Sequence, residues 1–128
     1  MEYLLVHRLV ICISKGIHDL VLYTKEKYND PLIYIIENGV LELNNPELSL
    51  DEALQDTSRI DYYYCHLCYL QALNICVCVC KNGAIMKGYF PWTLLDDFEW
   101  DSGYIIRFGL NYMDYDDGLK RHKKRSAH

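Results

Sequence analysis

Leu32-Ile33-Tyr34-Ile35-Ile36-Glu37-Asn38-Gly39 is the stretch on which the fold turns. Leu32–Ile36 is short, continuously apolar and rich in isoleucine, as fits a parallel strand covered on both faces. It ends on a carboxylate, Glu37, and on the turn pair Asn38-Gly39. Upstream, Ser14 can N-cap a helix through about Tyr28, with Ile17, Leu20, Val21 and Tyr28 near one face. Asn29-Asp30-Pro31 stops that helix. Downstream, Asn44-Asn45-Pro46 marks a loop, and Ser49-Leu50-Asp51-Glu52 is a capping box. The helix it opens should run to about Leu73, with Ile60, Tyr63, Tyr64, Leu67 and Leu70 as its apolar stripe. Lys81-Asn82-Gly83 is a turn and Ile85–Phe90 a second strand. Residues 91–118 read as a long loop with short extended pieces. The alternation of helix and strand predicts an α/β fold with parallel strands and right-handed crossovers. There is no internal repeat.

Composition sets the outer bounds. The chain has 128 residues, 51% of them hydrophobic and 24% charged, with a net charge of −5. That suits one modest globular domain and makes nucleic acid an unexpected partner. The basic run Lys120-Arg121-His122-Lys123-Lys124-Arg125 reads as a solvated terminal segment rather than a localisation signal. No stretch approaches the roughly 18 uninterrupted apolar residues of a membrane span, so no membrane association is expected. Met1-Glu2-Tyr3 lacks a basic start, and His7-Arg8 interrupts the apolar stretch through Ile13, so no secretory signal is recognised.

A second block follows the second strand: Lys87-Gly88-Tyr89-Phe90-Pro91-Trp92-Thr93-Leu94-Leu95-Asp96-Asp97-Phe98-Glu99-Trp100. Alone, Glu37 could merely begin a turn, and Trp92, Phe98 and Trp100 could be core aromatics. Together the two blocks resemble those of family 1 glycoside hydrolases, the β-glucosidases of plants. Glu37 matches the Glu of an I-T-E-N-G block, and the second block matches G-Y-F-A-W-S-L-L-D-N-F-E-W. Further matches follow in order, among them Arg59-Ile60-Asp61, Arg107-Phe108-Gly109 and Gly118-Leu119-Lys120-Arg121. The resemblance covers residues 14–127 with one break and corresponds to the C-terminal part of that family's domain. Residues 1–13 match no pattern and stay unassigned.

The resemblance implies the last two strands of a (β/α)₈ barrel, with their flanking helices, and a site at the carboxyl ends of those strands. It implies that Glu37 is the nucleophile of a retaining β-glucosidase, and that Trp92, Glu99 and Trp100 bind glucose. The chemistry is reasonable, since indole suits the apolar face of a sugar and a carboxylate suits paired hydroxyls. Ile36, Pro91 and Asp97 stand where the family has Thr, Ala and Asn. The partner of Glu37 in retaining hydrolysis would be a second carboxyl about 5–5.5 Å away that protonates the leaving oxygen. The family's T-x-N-E-P block, which carries that acid, has no counterpart here. The expected substrate is a β-glucoside, with no metal or organic cofactor. The compartment is not legible, although full-length relatives are often secreted or vacuolar.

Two other readings stand beside this one. Two strands cannot close a barrel and leave edges exposed, so a partner chain could pair there and the chain could serve as a non-catalytic interaction module. Six cysteines, Cys12, Cys65, Cys68, Cys76, Cys78 and Cys80, could instead bind zinc. Asn74–Cys80, however, falls where the family passes from helix to strand with fewer residues, and reads as a neutral, dispensable insertion.

Overall fold

The computed structural model describes residues 14–80 and 83–128. In chain order it contains α1 (Ser14–Lys27), β1 (Ile33–Asn38), β2 (Glu42–Leu43), α2 (Leu50–Ala53), α3 (Thr57–Cys80) and β3 (Met86–Pro91). A 3₁₀ turn (Trp100–Ser102), β4 (Ile106–Arg107), β5 (Asn111–Asp114), β6 (Lys120–Lys123) and a final 3₁₀ turn (Arg125–Ala127) follow. The described residues form three two-stranded sheets, β1–β3, β2–β4 and β5–β6. Ile33 N donates to Ile85 O at 3.0 Å and Trp92 N to Asn38 O at 2.8 Å. Both strands therefore advance in the same direction, which makes the pair parallel, as in α/β folds. No described helix is long and apolar enough to cross a membrane.

The chain divides into two compact units. The first holds residues up to Ile36 together with Tyr62–Phe90; the second holds Glu37–Asp61 and Pro91–His128. In the first unit, Val21, Leu70, Leu73 and Ala84 form a buried cluster, against which Ile17, Leu22, Ile33, Ile35, Met86 and Tyr89 pack. Helices thus cover one face of the β1–β3 pair. On the other face Tyr34 and Ile36 are more than half exposed. The expectation of a strand buried on both sides fails there: no layer among the described residues of this unit buries Tyr34 and Ile36.

The second helix of the sequence reading is two helices. The capping box is present, with Glu52 N donating to Ser49 Oγ and Ser49 N to the Glu52 carboxylate. Yet α2 ends after one turn, and Asp56 takes a left-handed backbone (φ +48°) before α3 begins. The buried face of α3 is Arg59, Tyr63, His66, Leu70 and Leu73, spaced four and three residues apart as a helix face requires. Tyr64 and Leu67, assigned to the apolar stripe, lie outside at 70% and 45% exposure. Apolarity misplaced the face because two of its members, Arg59 and His66, are polar. The helix also runs on through Cys80, so Asn74–Cys80 extends α3 rather than forming a connection. Lys81 and Asn82 of the expected turn, and Cys12, lie outside the described residues.

The region read as a long loop contains ladders. β2 pairs antiparallel with β4 (Glu42 opposite Arg107), and β5 with β6 (Asn111 opposite Lys123, Asp114 opposite Lys120). Lys120–Lys123 of the basic run thus form a strand, mostly exposed as a solvated segment would be, whereas Lys124 just beyond it is fully buried and departs from that reading. At Gly109 an added Cβ would lie 2.2 Å from Asp96 N and 2.5 Å from Leu95 C. These are backbone atoms that cannot yield. Gly109→Ala is expected to destabilise the second unit by about 1–3 kcal/mol, visible as a lower urea midpoint at unchanged slope.

Candidate functional site

Glu37 occupies the penultimate position of β1 and is exposed. Trp92 immediately follows β3, joined by its backbone N–H to Asn38 O. The two side chains thus stem from the carboxyl ends of adjacent parallel strands. Gly39 makes this approach feasible: an added Cβ would stand 2.0 Å from Trp92 O. The Trp92–Thr93 peptide is cis.

Trp92 and Glu99 meet directly. The indole N–H donates to the Glu99 carboxyl group, which is 6% exposed. The other oxygen, Oε1, is buried with no partner, an acceptor with its hydrogen-bonding capacity unspent. Burial pushes the Glu99 carboxyl above the usual range. The Trp92 N–H opposes this, and the charges of Asp97 and Asp96 add to it. The backbone around Glu99 is closed on itself, with Glu99 N bonded to Gly103 O and Ser102 N to Glu99 O, both at 2.8 Å. Trp100, the other expected sugar-binding residue, opens the 3₁₀ turn at φ +45° and is 85% exposed.

The sequence reading missed the charged residues beneath this loop. Asp96 is buried and accepts Arg107 Nη1 at 2.6 Å, Gly109 N at 2.8 Å, Met113 N at 3.1 Å and Lys124 Nζ at 3.4 Å. Arg59, also buried, donates to Asp56 at 2.7 Å and to the carbonyls of Arg107, Gly109 and Val40. Ser126 Oγ reaches the second oxygen of Asp56. Glu42 lies 3.8 Å from both Arg59 and Lys124. Burial drives the Lys124 amine down, helped by Arg59 and opposed by Asp96, Asp56 and Glu42. Burial likewise drives the Glu42 carboxyl up, against the pull of Lys124. Only the i, i+3 spacing of Asp56 and Arg59 hinted at any of this in the sequence.

The sequence profile of glycosyl hydrolase family 1 matches residues 7–128. The chain belongs to glycosyl hydrolase family 1. It is 55% identical over 113 residues to β-glucosidase 24 of Oryza sativa subsp. japonica, covering 88% of this chain and 21% of that protein. It is 52% identical over 118 residues to an isoflavonoid 7-O-β-apiosyl-glucoside β-glycosidase of Dalbergia nigrescens, again over a fifth of its length. The crystal structure of a rice β-glucosidase matches at a TM-score of 0.79 and 42% identity, over 89% of this chain and 23% of that one. A Thermotoga maritima family 1 β-glucosidase matches at 0.74 and 38%. The family 1 chain spans about a fifth of the length of the curated relatives it matches. Its fold is accordingly an α/β part of a (β/α)₈ barrel, and the described residues do not close one. Among them, no group of three or more His, Cys, Asp or Glu residues is arranged to hold a metal ion. Cys65 and Cys68 are exposed free thiols.

Two outcomes test this geometry. Asp96→Asn leaves Arg107 buried without its counter-charge and Lys124 with Glu42 at 3.8 Å in place of two carboxylates. It should cost about 3–5 kcal/mol in urea unfolding, with the 92–100 loop losing hydrogen-exchange protection first. Glu99 holds its proton to higher pH when folded than when unfolded. Its contribution to stability is therefore fully present below the ordinary value of 4.5 and is lost as pH rises above it. Glu99→Gln should flatten the stability profile in that window, measured as urea midpoint against pH.

Proposed function

We propose that this chain carries the nucleophile and part of the glucose subsite of a retaining β-glucosidase. The observation that carries the reading is the Trp92–Glu99 pair. A buried carboxyl, held by an indole N–H with Oε1 unspent, stands next to an aromatic ring at the end of the strand beside Glu37. Such a pair can take a sugar's apolar face and its hydroxyls together. Glu37, at the adjacent strand end, is the group that would attack the anomeric carbon, giving a glycosyl-enzyme ester and expelling the aglycone oxygen. A second carboxyl would protonate that oxygen, and water would then release the sugar. Family membership and the names of the relatives, several of them β-glucosidases, support the same substrate class.

The chain contains no motif for the acid, and general acid catalysis commonly contributes about 10²–10⁴-fold. Loss of the remaining subsite residues costs further through orientation. Binding and turnover are therefore expected to separate in the isolated chain. Titration with glucose should shift the Trp92 indole N–H resonance at millimolar concentration, and Glu99→Gln should abolish the shift. An activated aryl β-glucoside should show no turnover above the level of Glu37→Gln. An unperturbed indole resonance at saturating glucose would remove the glucose subsite from the reading. Turnover that disappears in Glu37→Gln would show that the chain alone assembles a working site.

A further inference from the structure

Asp96, Asp97 and Glu99 follow β3 in one short loop, and they differ in what answers their charge. Asp96 is buried against Arg107 Nη1 at 2.6 Å and Lys124 Nζ at 3.4 Å. Glu99 is buried with the Trp92 N–H on one oxygen and nothing on Oε1. Asp97 is exposed, and its Oδ1 accepts the backbone N–H of Phe98 at 2.6 Å. That bond pins the Asp97 carboxylate beside the Asp97–Phe98 peptide, one residue short of Glu99. Among the described residues neither Asp97 nor Glu99 forms an ion pair. The Arg107 guanidinium is held by Asp96, Asn44 and the Met113 carbonyl. Asp97 is therefore a fixed negative charge that no described cation answers, two residues from a buried carboxyl whose ionisation it opposes. Burial is the largest influence keeping Glu99 protonated; the Trp92 N–H opposes it, and the charges of Asp97 and then Asp96 add to it. Glu37 at the adjacent strand end and Asp101 in the following 3₁₀ turn are not among the charges acting on Glu99.

We propose that Asp97 is a positioning residue that acts on glucose through Glu99: its unanswered charge sets the pH below which the buried carboxyl stops accepting sugar hydroxyls. This rests on the reading of Trp92 and Glu99 as part of a glucose subsite. Ionised, Glu99 presents acceptors only, and hydroxyls bond to a charged acceptor more strongly than to a neutral one. Protonated, the group loses its charge and one oxygen becomes a donor. Glucose affinity is thus full above the Glu99 midpoint, which lies above the ordinary 4.5, and is lost as pH falls through it. Removing the Asp97 charge favours the ionised form, so binding persists to lower pH. One substitution separates charge from structure, because Asn keeps an oxygen for the Phe98 N–H and gives up only the charge.

The test uses the full 128-residue chain with carboxyl-labelled glutamate, and glucose as the probe. The Glu99 carboxyl resonance, assigned through Glu99→Gln, is followed against pH without sugar. The Trp92 indole N–H resonance is followed against glucose at each pH. In Asp97→Asn the Glu99 midpoint should fall by about half a pH unit, and the pH at which glucose affinity has halved should fall with it. Well above the midpoint the two chains should bind glucose equally, which a structural defect would not allow. Asp97→Glu should keep the parent profile. Asp101→Asn, which removes an exposed charge from the 3₁₀ turn, should leave the Glu99 midpoint where it is. A Glu99 midpoint in Asp97→Asn equal to the parent's overturns the proposal, as does an equal shift in Asp101→Asn. Loss of glucose affinity by the same factor at every pH in Asp97→Asn overturns it too. An indole resonance unmoved by glucose at any pH in the parent chain removes the subsite and the proposal together, so binding by the parent chain tells the two failures apart.

Discussion

The carboxylate of Asp96 is the point from which the second unit is organised. Its oxygens take the Arg107 guanidinium, the backbone N–H groups of Gly109 and Met113, and the Lys124 amine. One side chain thereby ties together β4, β5, the intervening turn and the residue that follows β6. Burying an acid so deeply is unfavourable unless its lone pairs are filled and its charge matched. Here both conditions are met, with Asp56 and Arg59 forming a second such pair alongside. Three cations (Arg59, Arg107, Lys124) stand against three carboxylates (Asp56, Asp96, Glu42), and the cluster is neutral when all are ionised.

The two units thus achieve burial by opposite means. The first has an aliphatic cluster between helices and sheet. In the second, the described buried residues are Val40, Gly109 and a set of charged side chains. An apolar cluster tolerates sliding; a charged one does not, because each displaced partner leaves an unpaired ion. That rigidity matters for the 92–100 loop, which has Trp92 and Glu99 near its ends and Asp96 between them. Its backbone is latched as well, through Leu110 N to Thr93 O at 2.8 Å and Asn111 N to Leu94 O at 3.0 Å. A subsite that must hold hydroxyls and a ring in register is better set on such a frame than on a free loop.

Much of this was legible in the sequence, and the failures have a common cause. The isoleucine run, the capping box and the Lys87–Trp100 block located both parallel strands, the start of α2 and the family. What pattern reading lost was every place where a polar residue is buried. Arg59 and His66 rotated the inner face of α3 away from its apolar stripe. Lys124 turned an apparent solvated tail into a strand end with a buried amine. Asp56, in a left-handed conformation, split one expected helix into two. Rules that equate charge with solvent cannot see a site whose charges neutralise one another across residues distant in sequence. The converse error occurred at Tyr34 and Ile36, where apolarity was read as burial although both are more than half exposed.

These opposite errors point to one physical division. The charged cluster is complete within its own unit, since each ion finds its counter-ion among residues 42–124. Its charges are matched there, with the Nε of Arg59 left as a buried donor without a partner, and the orientation of Trp92 and Glu99 rests on that frame. The Tyr34, Ile36 and Phe90 face is the reverse case, apolar area left in water that gains free energy only when something covers it. Catalysis adds a third requirement that neither meets. Differential stabilisation of a glycosidic transition state needs an acid placed against the leaving oxygen, as well as a nucleophile and a sugar cradle. What the described residues hold in place is the Trp92–Glu99 pair, set on a cluster of ions that neutralise one another and following the strand that pairs with the one carrying Glu37.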